Sequence, residues 1–236
     1  MITTPRQPGS LQADAVLIPA LNCGATIRVV VSAARCHISH VLVVSDGSTD
    51  STVAEARAAG ASVLTHDRPR GKGAALLTGM LALADCSVKR VVTMDGDGQH
   101  LAEAIPTLLR AADAAPGALI IGARLSETGG VAPMRVFGNR FANRWVEIAC
   151  GERLPDTQSG FRVYPLPQVL ALRVRARHFA FETEVLIRAV RAGVAIHSVP
   201  IRVYNPPIAT RVSHFRPVVD TVRIIFVVLG LIFRVW

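Results

Sequence analysis

Residues 90–100 read Arg-Val-Val-Thr-Met-Asp-Gly-Asp-Gly-Gln-His, an apolar run that ends in a polar, glycine-containing turn. The β-branched run from Arg90 to Asp95 predicts a buried strand. Asp95 and Asp97 lie two residues apart at its end, so both carboxylates can face one hard cation, and Gln99 adds a neutral oxygen. This stretch therefore predicts a strand that ends in a Mg²⁺ or Mn²⁺ site. An ordinary Asp-Gly loop is the alternative, because two aspartates at this spacing often occur by chance.

On both sides of this stretch, short apolar strands alternate with helices through the first half of the chain. The predicted strands span residues 14–19, 40–45, 61–66, 90–95 and 118–123. The predicted helices span residues 25–35, 50–60, 73–84 and 102–114. Apolar strands separated by helices predict a mainly parallel α/β sheet that is covered on both faces. Ligands of such sheets bind beyond the carboxyl ends of the strands, so the residues after each strand are the first candidates for a site.

The second half of the chain has a different pattern. It predicts a basic amphipathic helix over residues 133–150, a turn and strand over 156–164, a helix over 181–192, a strand over 194–204 and a terminal helix. A chain of 236 residues is long enough for one α/β core but short for two ordinary domains. We expect one domain over residues 1–216, with halves at about 14–124 and 125–216, followed by a helix over 217–236.

The composition restricts the partners and the compartment. Twenty-six Lys and Arg against 17 Asp and Glu give a net charge of +9, which favours anionic partners such as phosphates or acidic lipid. Aromatic residues make up 5% of the chain and no basic run is interleaved with them, so nucleic acid is not an expected partner. The four cysteines are far apart and the first 14 residues are polar, which together predict a cytoplasmic location.

The C-terminal segment is the most apolar part of the sequence. Between Arg223 and Arg234, residues 224–233 carry no charge. As a helix this run covers about 15 Å, roughly half of a hydrocarbon core, so it does not span a bilayer. Residues 201–236 contain five Arg and one Asp, and basic residues around an apolar helix suit a membrane surface. A helix that packs on the core is the alternative.

Polar residues also follow two other predicted strands, in Ile18-Pro-Ala-Leu-Asn22 and Val44-Ser-Asp-Gly-Ser-Thr-Asp50, and these should line one edge with residues 94–100. In Gly71-Lys-Gly73 the glycines permit close backbone approach, and Lys72 presents a compact cation to a phosphate at a helix start. A plain helix entry is the alternative. A divalent cation that bridges two phosphates of a nucleotide would explain paired carboxylates beside a basic surface.

These motifs, together with Ile121-Gly-Ala-Arg124 and Asp156-Thr-Gln-Ser-Gly-Phe-Arg162, resemble the family 2 glycosyltransferases, which have the GT-A fold. The similarity is greatest to the dolichol- and polyprenyl-phosphate sugar synthases and covers nearly the whole chain. The resemblance implies a nucleotide-sugar donor and a divalent metal. The sequence departs from the usual pattern at Leu21, Cys23 and Ser45, where relatives often carry an aromatic residue, a Glu and an Asp. The sequence therefore does not decide between a UDP-sugar and a GDP-sugar as the donor.

The resemblance also implies roles for single residues, which lie at or after the ends of predicted strands or at the starts of helices. Pro19 and Asp46 would hold the nucleoside, Lys72 and Arg124 would approach the diphosphate, and Asp95, Asp97 and Gln99 would hold the metal. Asn22 and Gly96 are further candidates for contacts with the donor. The catalytic candidates are Asp97, Arg124 and Asp156.

The expected acceptor side includes Met134-Arg-Val-Phe-Gly-Asn-Arg140, which resembles the amphipathic segment that meets the lipid phosphate in those synthases. Arg135, Asn139 and Arg140 are therefore candidate acceptor ligands, and a solvated basic helix face is the alternative. Residues 211–216 resemble a loop that closes over the diphosphate, which makes Arg211 a candidate donor ligand.

Asp156 has two possible roles that depend on the acceptor. It is the best candidate base if the acceptor is a hydroxyl. A phosphate monoester is already anionic near neutral pH, since its second pKa is about 6, and Asp156 would then position the sugar or the acceptor beside Ser159. A turn aspartate before Gly160 is the alternative. Two further acidic residues, Glu182 and Glu184, are given no chemical role.

The sequence thus predicts an inverting, metal-dependent hexosyltransferase that acts at the inner face of a membrane on a polyprenyl-phosphate or other membrane-bound acceptor. Transfer to a hydroxyl of a lipid or glycan is the first alternative. A sugar-phosphate nucleotidyltransferase is less favoured, because such enzymes usually place a glycine-rich loop where this chain has residues 19–22. A non-catalytic nucleotide-sugar binding module is the third alternative. The sequence predicts no oligomeric state.

Overall fold

One sheet forms the centre of the protein. The computed structural model describes residues 14–124, 147, 151, 156–204 and the helix 217–232, with the side chains of that helix described for residues 223–231. The strands are β1 (Asp14–Ala20), β2 (Val41–Ser45), β3 (Ser62–Thr65), β4 (Arg90–Thr93), β5 (Leu119–Arg124), β6 (Arg162–Pro165) and β7 (Ile196–Ile201). They lie in the order β3-β2-β1-β4-β6-β5-β7.

Helices cover both faces of the sheet. They are α1 (Ile27–Arg35), α2 (Thr52–Ala58), α3 (Lys72–Asp85), α4 (Ile105–Ala114), α5 (Leu166–Ala171), α6 (Ala180–Arg191) and α7 (Pro217–Ile232), with a 3₁₀ turn at Ala102–Ala104. The apolar residues of α3, α5, α6 and α7 form one buried layer, and those of α1, α2 and α4 form the other. Successive residues of β1 enter alternate layers, with Leu17 in the first and Ile18 in the second, as the two-residue period of a strand requires.

The strand directions confirm the predicted mainly parallel α/β sheet. β1 is parallel to β2 and β4, β2 is parallel to β3, and β5 is parallel to β7. β6 runs antiparallel to both of its neighbours, β4 and β5. The sequence did not predict this reversal, because a four-residue strand carries no local sign of its direction.

Element boundaries differ from the predictions in a few places. β4 ends at Thr93 instead of Asp95, and β7 is shorter at both ends than the predicted strand over 194–204. Helix α5 was not predicted, because its six residues are too few to show a helical period. The predicted basic helix over 133–150 lies almost entirely outside the described residues, as do Arg135, Asn139, Arg140 and Arg211.

Helix α7 has one packed face and one exposed face. Ile224, Val227, Val228 and Leu231 are buried in the layer that contains α6. The side chain of Arg191 donates a hydrogen bond to the Leu231 carbonyl over 2.8 Å. Phe226, by contrast, is 67% exposed. Within the described part of the chain, the helices all fall short of the length and hydropathy needed to cross a membrane.

Candidate active site

The carboxyl ends of β1, β2 and β4 meet at one edge because these strands are parallel. Hydrogen bonds join the loops after β1 and β2: the Thr49 N–H donates to Asn22 Oδ1 over 2.9 Å, and the Gly24 N–H donates to Asp50 Oδ2 over 2.9 Å. Pro19 is buried near the end of β1. Asn22 and Pro19 therefore lie at the predicted edge, and their contact with a nucleoside stays a prediction.

Asp46 follows β2 and organises the loop that leads into α3. Its carboxylate is hydrogen-bonded to Nδ1 of His66 at 2.7 Å. It also accepts hydrogen bonds from the backbone N–H groups of Arg70 and Gly71 over 2.8 and 2.7 Å. The carboxylate thus fixes the start of α3, where Lys72 is the first residue. The predicted contact of Asp46 with a nucleoside is not tested by this arrangement.

Lys72 lies between two carboxylates. Its Nζ is 2.6 Å from Asp95 Oδ1 and 2.7 Å from Glu182 Oε1, and it lies 5.8 Å from the centroid of the Phe179 ring. Burial acts to lower the pKa of Lys72, but the charges of Asp95 and Glu182 outweigh burial and raise it. The side chain is therefore an ammonium ion that bridges the end of β4 and the first turn of α6.

Asp95 is held as a carboxylate by its surroundings. Burial acts to raise the pKa of Asp95, but the charge of Lys72 outweighs it and the pKa falls to about 2. The backbone N–H of Asp95 donates to Nδ1 of His100 over 3.0 Å. Burial lowers the pKa of His100, which is consistent with a neutral ring that accepts this hydrogen bond. The turn after β4 is therefore closed by this hydrogen bond and carries a negative charge.

Asp97 lies on the same turn as Asp95, and its neighbour Gln99 faces it. The Gln99 N–H donates to Asp97 Oδ1 over 3.0 Å, and the Gln99 side-chain amide donates to Asp97 Oδ2. Gly96, between the aspartates, is buried, and its carbonyl accepts a hydrogen bond from Thr26 Oγ1 over 2.6 Å. The three predicted metal ligands are thus together on one turn.

Gly160 lies directly against the Lys72–Asp95 pair. A Cβ at Gly160 would lie 2.7 Å from Lys72 Nζ and 3.1 Å from both carboxylate oxygens of Asp95, so a side chain at this position would collide with the pair. Mg²⁺ is commonly held by one or two carboxylates together with phosphates of the substrate. Asp95 and Asp97 provide such a pair, although the described residues contain no cluster of three or more His, Cys, Asp or Glu arranged around a metal position.

Arg124 and Asp156 form a second ion pair. Arg124 Nε and Nη2 donate to the two carboxylate oxygens of Asp156 over 2.7 and 2.6 Å, and the Arg124 backbone N–H donates over 2.9 Å. Burial acts to raise the pKa of Asp156, but these hydrogen bonds and the charge of Arg124 lower it. Asp156 also has φ of 51°, a conformation that aspartate adopts more readily than most residues. The pair therefore places a cation at the end of β5 with its guanidinium fixed by Asp156.

The loop that contains Ser159 is held from inside the protein. Ser159 is 1% exposed, and its Oγ accepts a hydrogen bond from the Phe161 N–H over 3.4 Å. The fully buried Arg162 donates to the carbonyls of Thr157, Ser159 and Glu182. Thr93 Oγ1 donates to the carbonyl of Gly160 over 2.7 Å. This loop is thus joined to β4 and α6, and a contact between Ser159 and an acceptor stays a prediction.

Two residues at this edge were not assigned a role from the sequence. Glu182 is 5% exposed and forms the second partner of Lys72, and Gly160 lets its loop lie directly against the Lys72–Asp95 pair. An acidic residue in the first turn of α6 was the available signal for Glu182. Nothing local marks Gly160, because its closest neighbours come from α3 and the turn after β4.

A mainly parallel sheet, with carboxylates and a lysine at its carboxyl edge and a helix that starts beside them, places this chain among the α/β proteins that bind ligands at that edge. The comparison with protein families is more specific. The model of Glycosyl transferase family 2 matches residues 15–168. The chain belongs to this family, as the sequence motifs predicted.

Two characterised relatives act on lipid-linked phosphates according to their names. Polyprenol monophosphomannose synthase of Mycolicibacterium smegmatis is 30% identical over 204 residues, which cover 80% of this chain and 77% of that protein. Undecaprenyl-phosphate mannosyltransferase of Micrococcus luteus is 30% identical over 184 residues, which cover 69% of this chain and 71% of that protein.

A solved structure has the same fold. Glucosyl-3-phosphoglycerate synthase from Mycobacterium tuberculosis, in complex with Mn²⁺, UDP-glucose and phosphoglyceric acid, matches with a TM-score of 0.73. The two proteins are 25% identical, and the match covers 94% of this chain and 80% of that one. The predicted GT-A fold is therefore confirmed.

Proposed function

We propose that the protein transfers a hexose, with inversion, from a UDP- or GDP-sugar to a polyprenyl phosphate or another membrane-bound acceptor. The observation that carries the proposal is the joint position of Lys72, Asp95 and Asp97 at one sheet edge. The names of the relatives, a polyprenol monophosphomannose synthase and an undecaprenyl-phosphate mannosyltransferase, support a lipid-phosphate acceptor. A Mn²⁺ and UDP-glucose complex of the structural neighbour supports the donor and the metal.

The donor diphosphate would lie over the turn after β4. Asp95 and Asp97, with Gln99 beside them, would hold Mg²⁺ or Mn²⁺, which when bound neutralises charge on the departing nucleotide diphosphate. Lys72 Nζ lies 2.6 Å from Asp95 Oδ1 and 2.7 Å from Glu182 Oε1. If Asp95 holds the metal, Lys72 would turn toward a phosphate of the donor and would keep its contact with Glu182.

The second ion pair would serve the same donor. Arg124 is at the end of β5 and is held in a fixed orientation by two hydrogen bonds from its side chain to Asp156. The N–H groups of Arg124 that do not face Asp156 would remain to donate to a diphosphate oxygen. Asp156 would then be a positioning residue for Arg124, because its carboxylate is already engaged.

The lowered pKa of Asp156 favours a phosphate acceptor over a hydroxyl acceptor. A carboxylate that is engaged by Arg124 and has a pKa below its usual range is a weak base for a hydroxyl proton. A phosphate monoester is largely ionised at neutral pH and needs no base. The predicted acceptor ligands Arg135, Asn139 and Arg140 lie outside the described residues and stay part of this proposal.

The membrane part of the proposal concerns the exposed face of α7. Phe226 is 67% exposed next to a face that packs on the core, and Arg223 is exposed one turn before it. An apolar side chain beside a basic one suits peripheral attachment to the inner face of a membrane. Exchanging Phe226 for Ser should reduce binding to vesicles and leave unfolding unchanged. Exchanging the fully buried Val228 for Ser is the matched control that should lower stability.

The test of the function is a transfer assay with Mn²⁺ and a panel of UDP- and GDP-sugars, with and without polyprenyl phosphate. We expect a sugar-lipid product that depends on both the metal and the lipid phosphate. Transfer only to a hydroxyl acceptor would support the alternative acceptor. Binding without any transfer would support a non-catalytic module, and release of pyrophosphate from a nucleoside triphosphate would indicate a nucleotidyltransferase.

A further inference from the structure

The segment between α5 and α6 presents a row of exposed arginines. Residues 173–177 read Arg-Val-Arg-Ala-Arg, and the three arginines, here called the arginine strip, are all exposed. Val174 and Ala176 between them are 8% and 9% exposed and belong to the buried layer formed with α6 and α7. The alternation directs the three guanidinium groups away from the core.

The backbone beneath the arginine strip is anchored in its middle and at its carboxyl end. Glu184 Oε2 accepts hydrogen bonds from the backbone N–H groups of Arg175 and Ala176 over 3.1 and 2.7 Å. The carbonyl of Arg177 accepts a hydrogen bond from the Ala74 N–H of α3 over 2.9 Å. The strip is therefore held in place as part of the folded domain, so its charges are not carried by a free loop.

The charge of the arginine strip is not neutralised by the carboxylate beneath it. Glu184 is fully buried, and its other oxygen, Oε1, pairs with Nε of Arg188 at 2.6 Å. Across residues 14–124 and 156–204, no ion pair involves the side chains of Arg173, Arg175 or Arg177. In those ranges Arg28, Arg90 and Arg124 each pair with a carboxylate.

The arginine strip adjoins the candidate active site. It continues into His178 and Phe179, and the Phe179 ring lies 5.8 Å from Lys72 Nζ. A Cβ at Gly71 would lie 2.2 Å from His178 Nδ1, so the loop before α3, which contains the exposed Arg70, lies directly against the end of the strip. A partner bound to the strip would therefore also lie close to the site.

We propose that the arginine strip, with Arg70, is a docking surface for an anionic phospholipid bilayer. The proposal rests on the proposed function in one respect, since a lipid-linked acceptor must be reached from a membrane surface. Guanidinium groups bind phosphodiesters well, and each basic residue near an anionic leaflet adds roughly fivefold to the binding constant. Nucleic acid fits less well, because no exposed aromatic side chain alternates with these arginines to stack on bases.

The test measures binding of the full chain to vesicles in the absence of nucleotide sugar, metal and acceptor. Vesicles of phosphatidylcholine alone are compared with vesicles that contain about 30% phosphatidylglycerol, at low and at high salt. We expect binding to the anionic vesicles that weakens with salt. The triple variant Arg173→Gln, Arg175→Gln, Arg177→Gln should bind them roughly 100-fold more weakly. The corresponding triple exchange to Lys should retain most of the binding.

The matched control removes the same charge from elsewhere on the surface. Arg57, Lys89 and Arg110 are exposed on α2, before β4 and on α4, and their triple exchange to Gln should leave vesicle binding within about threefold of wild type. Equal losses in both triple variants would mean that only net charge matters and would overturn the proposal. So would equal binding to both kinds of vesicle, or no binding at low salt.

A further measurement separates this proposal from the proposed function. Donor affinity of the strip variant is measured by calorimetry with Mn²⁺, and transfer is measured with a detergent-solubilised acceptor. Both should stay at wild-type values, and the thermal unfolding temperature should not change. A loss of donor affinity with unchanged vesicle binding would place the arginines in the donor site and overturn the docking surface. If the wild-type chain transfers the sugar but does not bind anionic vesicles, the docking surface is overturned and the proposed function stands.

Discussion

The two ends of the β1–β4 pair carry similar sets of charges. At the amino end, Arg90 donates from Nε and Nη2 to the two carboxylate oxygens of Asp14 over 2.6 and 2.7 Å, and from Nη1 to Asp113 over 2.5 Å. At the carboxyl end, Lys72 lies between Asp95 and Glu182 at 2.6 and 2.7 Å. Each end thus has one cation between two carboxylates, but only the carboxyl end lies where parallel α/β sheets bind their ligands.

The two ends differ in how readily the cation could exchange its carboxylate partners for a ligand. The guanidinium of Arg90 is planar, and two of its nitrogens donate to the two carboxylate oxygens of Asp14. This geometry is specific to a carboxylate, so we expect Arg90 to keep Asp14 as its partner. The ammonium of Lys72 is a point charge that can turn toward another anion, and it lies at the carboxyl edge of the parallel strands. An ion pair therefore indicates a site when its cation can exchange partners and it lies at the edge where parallel α/β sheets bind their ligands.

The largest expected effect is on transfer activity, which should depend on the carboxylates of the carboxyl end and not on those of the amino end. Asp97→Ala should lower transfer by roughly 10²–10³-fold, because it removes one of the two carboxylates proposed to hold the metal. Calorimetry with donor and Mn²⁺ should show that metal-dependent donor binding is lost, while the unfolding temperature stays near that of wild type. Asp113→Ala is the control at the amino end and should retain transfer. Unchanged donor affinity in Asp97→Ala would remove the metal assignment.

A second, smaller effect tests whether Asp156 positions Arg124 or acts as a base. Asp156→Asn keeps the shape but weakens the hold on Arg124, so we expect kcat to fall by roughly 10-fold to 100-fold. The pH profile of kcat between pH 6 and 8 should keep its form, since a positioning carboxylate does not titrate there. If Asp156 acts as a base, Asp156→Asn should instead abolish almost all transfer to a hydroxyl acceptor and should change the pH profile of kcat.

The sequence predicted the carboxyl end much better than the amino end. Asp95, Asp97 and Lys72 stand in short local motifs that follow a strand or begin a helix, so their positions could be inferred from the chain order. Asp14 and Arg90 are 76 residues apart and meet only because β1 and β4 align them in register. Glu182 and Gly160 join the site through the reversed strand β6 and the start of α6, which local patterns do not reveal.

A third prediction concerns stability at the amino end. Arg90→Met should lower the free energy of unfolding by about 1–3 kcal/mol, because it leaves the largely buried Asp14 without its charged partner. Urea unfolding would measure this change. Transfer under conditions where the protein stays folded should be within about twofold of wild type. If Arg90→Met lowered kcat as strongly as Asp97→Ala, the amino end would have a functional role and the contrast between the two ends would fail.

The smallest predicted effect is a dependence of stability on acid pH at the carboxyl end. The pKa of Asp95 is lowered to about 2, below the value of about 4 for an unfolded chain. A carboxyl group whose pKa is lowered on folding stabilises the protein fully above about pH 4, and this contribution is lost as the pH falls through 4 toward 2. The expected loss is on the order of 1–2 kcal/mol. Asp95→Asn should therefore flatten the fall in unfolding free energy over this interval, and Lys72→Met should flatten it as well, since the charge of Lys72 is what holds the pKa down. Denaturant unfolding at a series of pH values would test both variants, and a slope equal to that of wild type in both would show that the Lys72–Asp95 pair does not stabilise the fold.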